Sequence, residues 1–172
     1  MARKHTSDAD TSRSVGLLIS ILVCYPELGT IHFDPRRRNL KFTFLLTRRQ
    51  TEAEFEALES KLRASLEAYS FLAGRPVNCF ELSRSALGEI TVLEVTRDVA
   101  TLSREEIALI IALMRESYGT SLVAERSETI MDEDITLQEE LIEEMLEDLR
   151  QTRGDKNLIA LREEGRVMVF NK

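Results

Sequence analysis

The chain has 172 residues, 43% apolar and 31% charged, with only three prolines and seven glycines and a net charge of −7 at neutral pH. A chain of this length fits one domain that buries ~70% of the surface its unfolded form exposes, so a core forms without staples and extended disorder is excluded. The charge is uneven: residues 125–148 hold eleven acidic residues against the single base Arg126, which leaves the rest of the chain at +3. The total therefore predicts no general affinity for nucleic acid, while a local basic patch stays open.

Residues 1–14 are polar and without periodicity, and read as a flexible tail. From Val15 to Tyr25 the chain is apolar almost throughout. Ser14 as an N-cap, the Leu17, Leu18 and Leu22 spacing and Pro26 beyond the end favour a helix, whereas the β-branched Val15, Ile19, Ile21 and Val23 favour a strand; the balance leans to helix. Arg3, Lys4 and Arg13 ahead of this stretch imitate a signal peptide. Eleven apolar residues are too few to span a bilayer, which takes ~20. No small-residue cleavage site follows, and Cys24 comes after the bulky Val23. Cys24 and Cys79 sit in apolar runs without the spacing of a metal or redox pair. A cytoplasmic protein with reduced thiols and no membrane contact is expected.

Thr30–Asp34 and Asn39–Thr47 read as two strands of a hairpin, because Asp34 and Asn39 favour local turn bonds and Pro35 presets one backbone angle. Leu40, Phe42, Phe44 and Leu46 alternate onto one face of the second strand. Thr51 and Glu54 form a capping box, after which Phe55, Leu58, Leu62, Leu66, Tyr69 and Leu72 make one helical stripe that ends at Gly74 and Pro76. Val77–Arg84 and Glu89–Asp98 have strand composition around a short loop. Ser103 and Glu106 open a second helix through Ile107, Ile110, Ile111, Met114 and Tyr118, Gly119 ends it, and Thr120–Glu125 offers a short strand. An acidic helix over 136–152, capped near Asp134 or Thr136, carries Leu137, Leu141, Ile142, Met145, Leu146 and Leu149 as its stripe. Leu158–Arg162 and Arg166–Phe170 flank Glu163-Glu164-Gly165 as a final hairpin.

Between about 39 and 125 the order is strand, helix, strand, strand, helix, strand. This order resembles the β-α-β-β-α-β core of ferredoxin-like domains, and the resemblance implies both helices on one face of an antiparallel sheet. The expected fold is thus α+β: residues 15–172 form one domain, with the N-terminal apolar segment and hairpin strand ahead of the core and a C-terminal helix plus hairpin over 126–172. Leu45, Leu93 and Val95 are expected to give the second face of the sheet apolar character that needs a cover.

No glycine-rich phosphate loop, nucleophile elbow or paired metal-ligand motif occurs in the sequence. No catalytic residue, cofactor or metal is expected, and the reading leans away from an enzyme. His32, between Ile31 and Phe33, has no nucleophile or ligand next to it, so a structural or exposed histidine is expected, and a Cys24–His32 pair needs tertiary proximity. Arg36, Arg37 and Arg38 share a loop tip, where clustered guanidiniums suit phosphate, and are candidate anion or nucleic-acid contacts. Glu140, Glu143, Glu144 and Glu147 on the acidic helix are a candidate surface for a protein partner. The leading expectation is a non-enzymatic interaction or regulatory protein, a homodimer joined through the apolar sheet face or the 136–152 helix. A nucleic-acid- or ribosome-associated factor using Arg36–Arg38 is the first alternative, and a ligand sensor or enzyme whose site assembles only in the fold is the second.

Overall fold

The computed structural model describes the backbone of residues 2–125, 132–151 and 156–171, with side chains from residue 12 onward and, in the acidic helix, from residue 134. Among these residues the chain is α+β, with one antiparallel six-stranded sheet and four α-helices: α1 Ala2–Cys24, β1 Thr30–Asp34, β2 Asn39–Leu46, α2 Glu52–Ala73, β3 Phe80–Leu87, β4 Ile90–Asp98, α3 Arg104–Tyr118, α4 Asp132–Gln151, β5 Leu158–Glu163 and β6 Arg166–Asn171. The strand order is β3-β4-β2-β1-β5-β6.

The apolar stretch after residue 15 is helical, and its helix runs back through the polar segment to Ala2, so the buried Ser14 lies inside α1 and does not cap it. Helix α4 passes close to Gly16 of α1, where a Cβ would make only an ordinary contact, 3.5 Å from Met145 Sδ. The Thr51–Glu54 capping box forms in full. At α3 only half forms, because Ser103 accepts from the Glu106 N–H while the Glu106 carboxylate turns to Arg97. Helix α2 ends on Gly74, whose φ of 68° is open to a residue without a Cβ. Leu72 falls beyond the buried stripe and is 84% exposed. The terminal hairpin closes on Glu164 and Gly165, both at positive φ, as the tight two-residue turn requires.

Register fixes the faces. Leu158, Phe33, Leu40, Arg97 and Phe80 stand opposite one another across five strands, as do Ala160, Ile31, Phe42, Val95 and Leu82. These rows point at the helices: Phe55 of α2 lies under Arg84, Glu106 of α3 bonds Arg97, and Arg162 reaches the end of α1. Leu93 and Val95 belong to this face and are fully buried beside Phe44 and Phe42. Their expected place on the second face is thus overturned, since strand parity puts alternate residues on one side. Helix α4 packs on α1, with Ile142, Leu146 and Leu149 buried between them. No described helix crosses the other face of the sheet.

The expected strand at Thr120–Glu125 shrinks to a 3₁₀ turn at Gly119–Ser121 and a single bridge, Leu46 to Leu122. The reason is occupancy. That side of β2 is already paired with β1 from Asn39 to Thr43, so only the far end of β2 remains open to residues 121–123.

Candidate interaction surface

The most connected polar cluster lies at the junction of β3, β4 and α3. Arg97 is completely buried and holds Glu106 in a two-pronged pair, Nε to Oε2 at 2.5 Å and Nη2 to Oε1 at 2.9 Å. Its Nη1 donates to Asp98, to the Cys79 carbonyl at 2.9 Å and to Thr101 Oγ1 at 3.2 Å. Burial by itself would raise the Asp98 carboxyl, yet hydrogen bonds from Thr101 and the Cys79 N–H, together with the Arg97 charge, outweigh it and hold the pKa below the ordinary value. Every nitrogen of the guanidinium is spent and the pair is closed to water. The cluster therefore clamps the start of β3 to the end of β4 and to α3, and has no free group to offer a substrate.

Burial, and then the charge of Glu139, pushes the Cys24 thiol up to about 12; its Sγ faces the Ile135 carbonyl of α4. His32 pairs with Lys41 and Ile159 on the bare face and bonds Asn157. Cys24 and His32 thus lie on opposite sides of the sheet, and the nucleophile pair does not form. The Cys79 thiol is also raised, first by burial and then by Glu81 and Asp98. Among the described residues no group of three or more His, Cys, Asp or Glu side chains is placed to hold a metal ion. No described helix is long and apolar enough to cross a membrane. A cleft of 560 Å³ between the end of α2 and β3 is lined by Arg63, Glu67, Ser70, Phe71 and Phe80 among others, and there the Ser70 hydroxyl donates to the Arg75 carbonyl rather than to Glu67.

The loop arginines separate in role. Arg36 and Arg37 are exposed, with their backbone N–H groups 2.9 and 3.3 Å from Asp34 Oδ1. Arg38, at φ 53°, turns inward, and its guanidinium donates to the Leu149 carbonyl at the end of α4. On the acidic helix the carboxylates divide likewise. Glu143 accepts the Arg104 N–H at 2.9 Å and Glu147 pairs with Arg150 at 2.5 Å, while Glu140 and Glu144 are exposed.

What remains is the uncovered sheet face. Its rows run Phe170, Ile159, His32, Lys41, Thr96, Glu81 and, next along, Met168, Leu161, Thr30, Thr43, Glu94, Ser83. The apolar members form a diagonal. It begins at Phe170 and Ile159 on the β6 side, passes Leu161 and the two threonines to Leu45 and Val92, and ends at Ile90 and Leu87 on the β3–β4 turn. Phe170 is 51% exposed, Leu87 71% and Ile90 39%; the other members are half-buried. Lys41 and Glu94 flank the diagonal and neutralise each other at 3.3 Å. Apolar character on the second face was legible in Leu45 alone; the other members emerge only from the register.

No family model, no curated protein and no solved structure matches the chain.

Proposed function

We propose that the protein is a self-associating interaction protein, a homodimer that lays the apolar diagonal of its bare sheet face against the same diagonal of a second copy. The carrying observation is that diagonal, Phe170 to Leu87, on a face that no described helix covers. The other expected surface, the 136–152 helix, has most of its stripe packed on α1 of the same chain, which leaves the sheet face as the larger apolar area. Six strands about 4.8 Å apart and roughly 20 Å long offer on the order of 600 Å², near the ~800 Å² per partner that stable interfaces bury. The diagonal itself is uncharged and its flanking ion pair is neutral, so a second copy meets no like charge along the diagonal. Closed two-fold pairing is the commonest arrangement for such a self-complementary patch.

Sedimentation and light scattering at tens of micromolar protein test the reading. The wild-type chain is expected to be a dimer. Val92→Lys and Ile159→Lys, each with its side chain on the bare face, are expected to give folded monomers with unchanged circular dichroism. A wild-type chain that is monomeric over the whole concentration range, or variants that dimerise as tightly as the wild type, would overturn it.

A further inference from the structure

Strand β3 is one edge of the sheet: it pairs with β4 alone, through eight consecutive residues from Phe80 to Leu87 without a bulge. In an antiparallel ladder every second residue then turns its N–H and C=O away from the sheet, a row open to one more strand. Helix α2 runs beside this edge in the opposite direction. The Arg84 guanidinium stands 5.0 Å from the Phe55 ring near the start of the helix, and the Arg63 guanidinium 5.1 Å from the Phe80 ring further along. Glu56, Glu59, Arg63, Glu67 and Ser70 recur at three and four residues, so they share the flank of α2 that Arg63 brings to β3.

The 560 Å³ cleft lies between that flank and the first residue of β3. Leu66, Phe71, Val77 and Phe80 form its apolar wall, and Arg63 and Glu67 belong to its polar one. Phe71 and its neighbour Leu72 are the most exposed large apolar side chains among the described residues, at 87% and 84%. An aromatic ring left in water at a cleft, next to an unpaired strand edge, suits a peptide that adds as a strand. Main-chain bonds would hold such a peptide along the edge, while alternate side chains enter the cleft. The charges select its sign. Arg63 is paired with Glu59 at 3.2 Å and Arg84 with Glu52 at 2.6 Å, whereas Glu56, Glu67 and Glu81 are in no ion pair among the described residues. Glu81 stands on the bare face with Thr96 of β4 across from it, so a residue added on its open side meets an unneutralised carboxylate.

We propose that the edge of β3 and the cleft beside it bind an extended basic peptide of a partner protein, added to the sheet as one further strand. A leucine-sized side chain fills the cleft, one lysine faces Glu81 and another lies beyond the cleft toward Glu67. Laid antiparallel to β3, the added strand has one residue across from Phe80, directed to the helix side and the cleft. The residue before it falls across from Glu81 and is directed to the bare face. The recognised pattern is thus a lysine followed by an apolar residue. This site is independent of the dimer reading, because the apolar diagonal reaches β3 only at Leu87, the end of the strand away from the cleft.

Fluorescence anisotropy with the labelled peptide Ser-Thr-Val-Lys-Leu-Ser-Lys on the full chain tests the proposal, together with amide hydrogen exchange. The peptide is expected to bind, less tightly as salt rises, and to slow exchange at amides of β3. Replacing both its lysines with glutamate, or its leucine with serine, is expected to weaken binding at least tenfold. Of two peptides N-methylated at the valine or at the lysine after it, one is expected to lose binding and the other to keep it, because only alternate amides face β3. Phe71→Ala and Glu81→Lys, both at exposed positions outside the core, are each expected to weaken binding at least tenfold. Ile159→Lys is expected to bind as the wild type does, so failure of the dimer and failure of this site are read separately. Absence of binding at millimolar peptide overturns the proposal. So does equal binding by both methylated peptides, by the glutamate peptide or by Phe71→Ala. Protection of β3 that grows with protein concentration in the chain alone, the sign of a second copy on this edge, overturns it as well.

Discussion

On the helix side of β4, Leu93, Val95 and Arg97 are closed off from water, whereas Val92, Glu94 and Thr96 of the same strand stand half-exposed on the bare face. The two sets differ by one residue in register and by everything in environment. On the covered side even a guanidinium is buried, because Glu106 and Asp98 neutralise it and backbone and hydroxyl oxygens complete its bonds. On the bare side apolar residues remain in reach of water beside charges that stay partly solvated, Lys41 and Glu94 among them. Polarity alone therefore does not tell the two sides apart; pairing does.

The strongest way to break this contrast is to remove one partner of the buried pair. Arg97→Ala leaves Glu106 charged and unpaired in the core and is expected to cost about 3–5 kcal/mol in urea unfolding. Thr96→Ala, one residue away on the bare face, is expected to change stability by no more than about 0.5 kcal/mol. Similar losses for both would mean that Arg97 is solvated.

Acid sharpens the same contrast. The folded pKa of Asp98 lies below its unfolded value of about 3.9, so its contribution to stability is complete above that value and is lost as pH falls through the folded pKa. Stability measured from pH 6 to pH 2 is expected to fall less steeply below pH ~4 in Asp98→Asn than in the wild type. Parallel acid limbs would remove Asp98 from the account.

The smallest expected effect concerns the thiols. With a pKa near 12, Cys24 carries almost no thiolate at pH 8, and iodoacetamide is expected to leave it unmodified in the native chain while labelling it quickly in guanidinium. Rapid labelling of Cys24 in the native chain would show that the α1–α4 contact opens.

Local signals in the sequence translated well where one residue's backbone chemistry decided the outcome. Thr51 with Glu54, Gly74, and the Glu164-Gly165 turn all end or begin elements where the sequence places them. The side each strand presents was harder to read, and Arg97 shows why. A charge is normally assigned to water, which turns β4 over and sends Leu93 and Val95 outward; only the pairing with Glu106, made across the turn to α3, reveals the true parity. The Thr120–Glu125 segment failed for another reason. Its own composition suits a strand, but β1 holds the ladder it needs, and competition between distant segments leaves no mark in a local window. Of the surfaces, Arg36–Arg38 and the glutamates of α4 were visible as charge runs, yet Arg38, Glu143 and Glu147 turned out to serve intramolecular bonds. The groove beside β3 depends on which strand ends at the sheet edge, which no sequence pattern announces.

The pairing of α1 with the far end of the chain also sets an order of events. Ser20 bonds Gln138, and Arg162 closes the last turn of α1 through the Leu22 carbonyl, so α1 finds these partners only once segments 118 and 140 residues further along have been made. During synthesis the apolar run from Leu17 to Leu22 must wait uncovered, the interval in which a nascent chain is most exposed to misassociation.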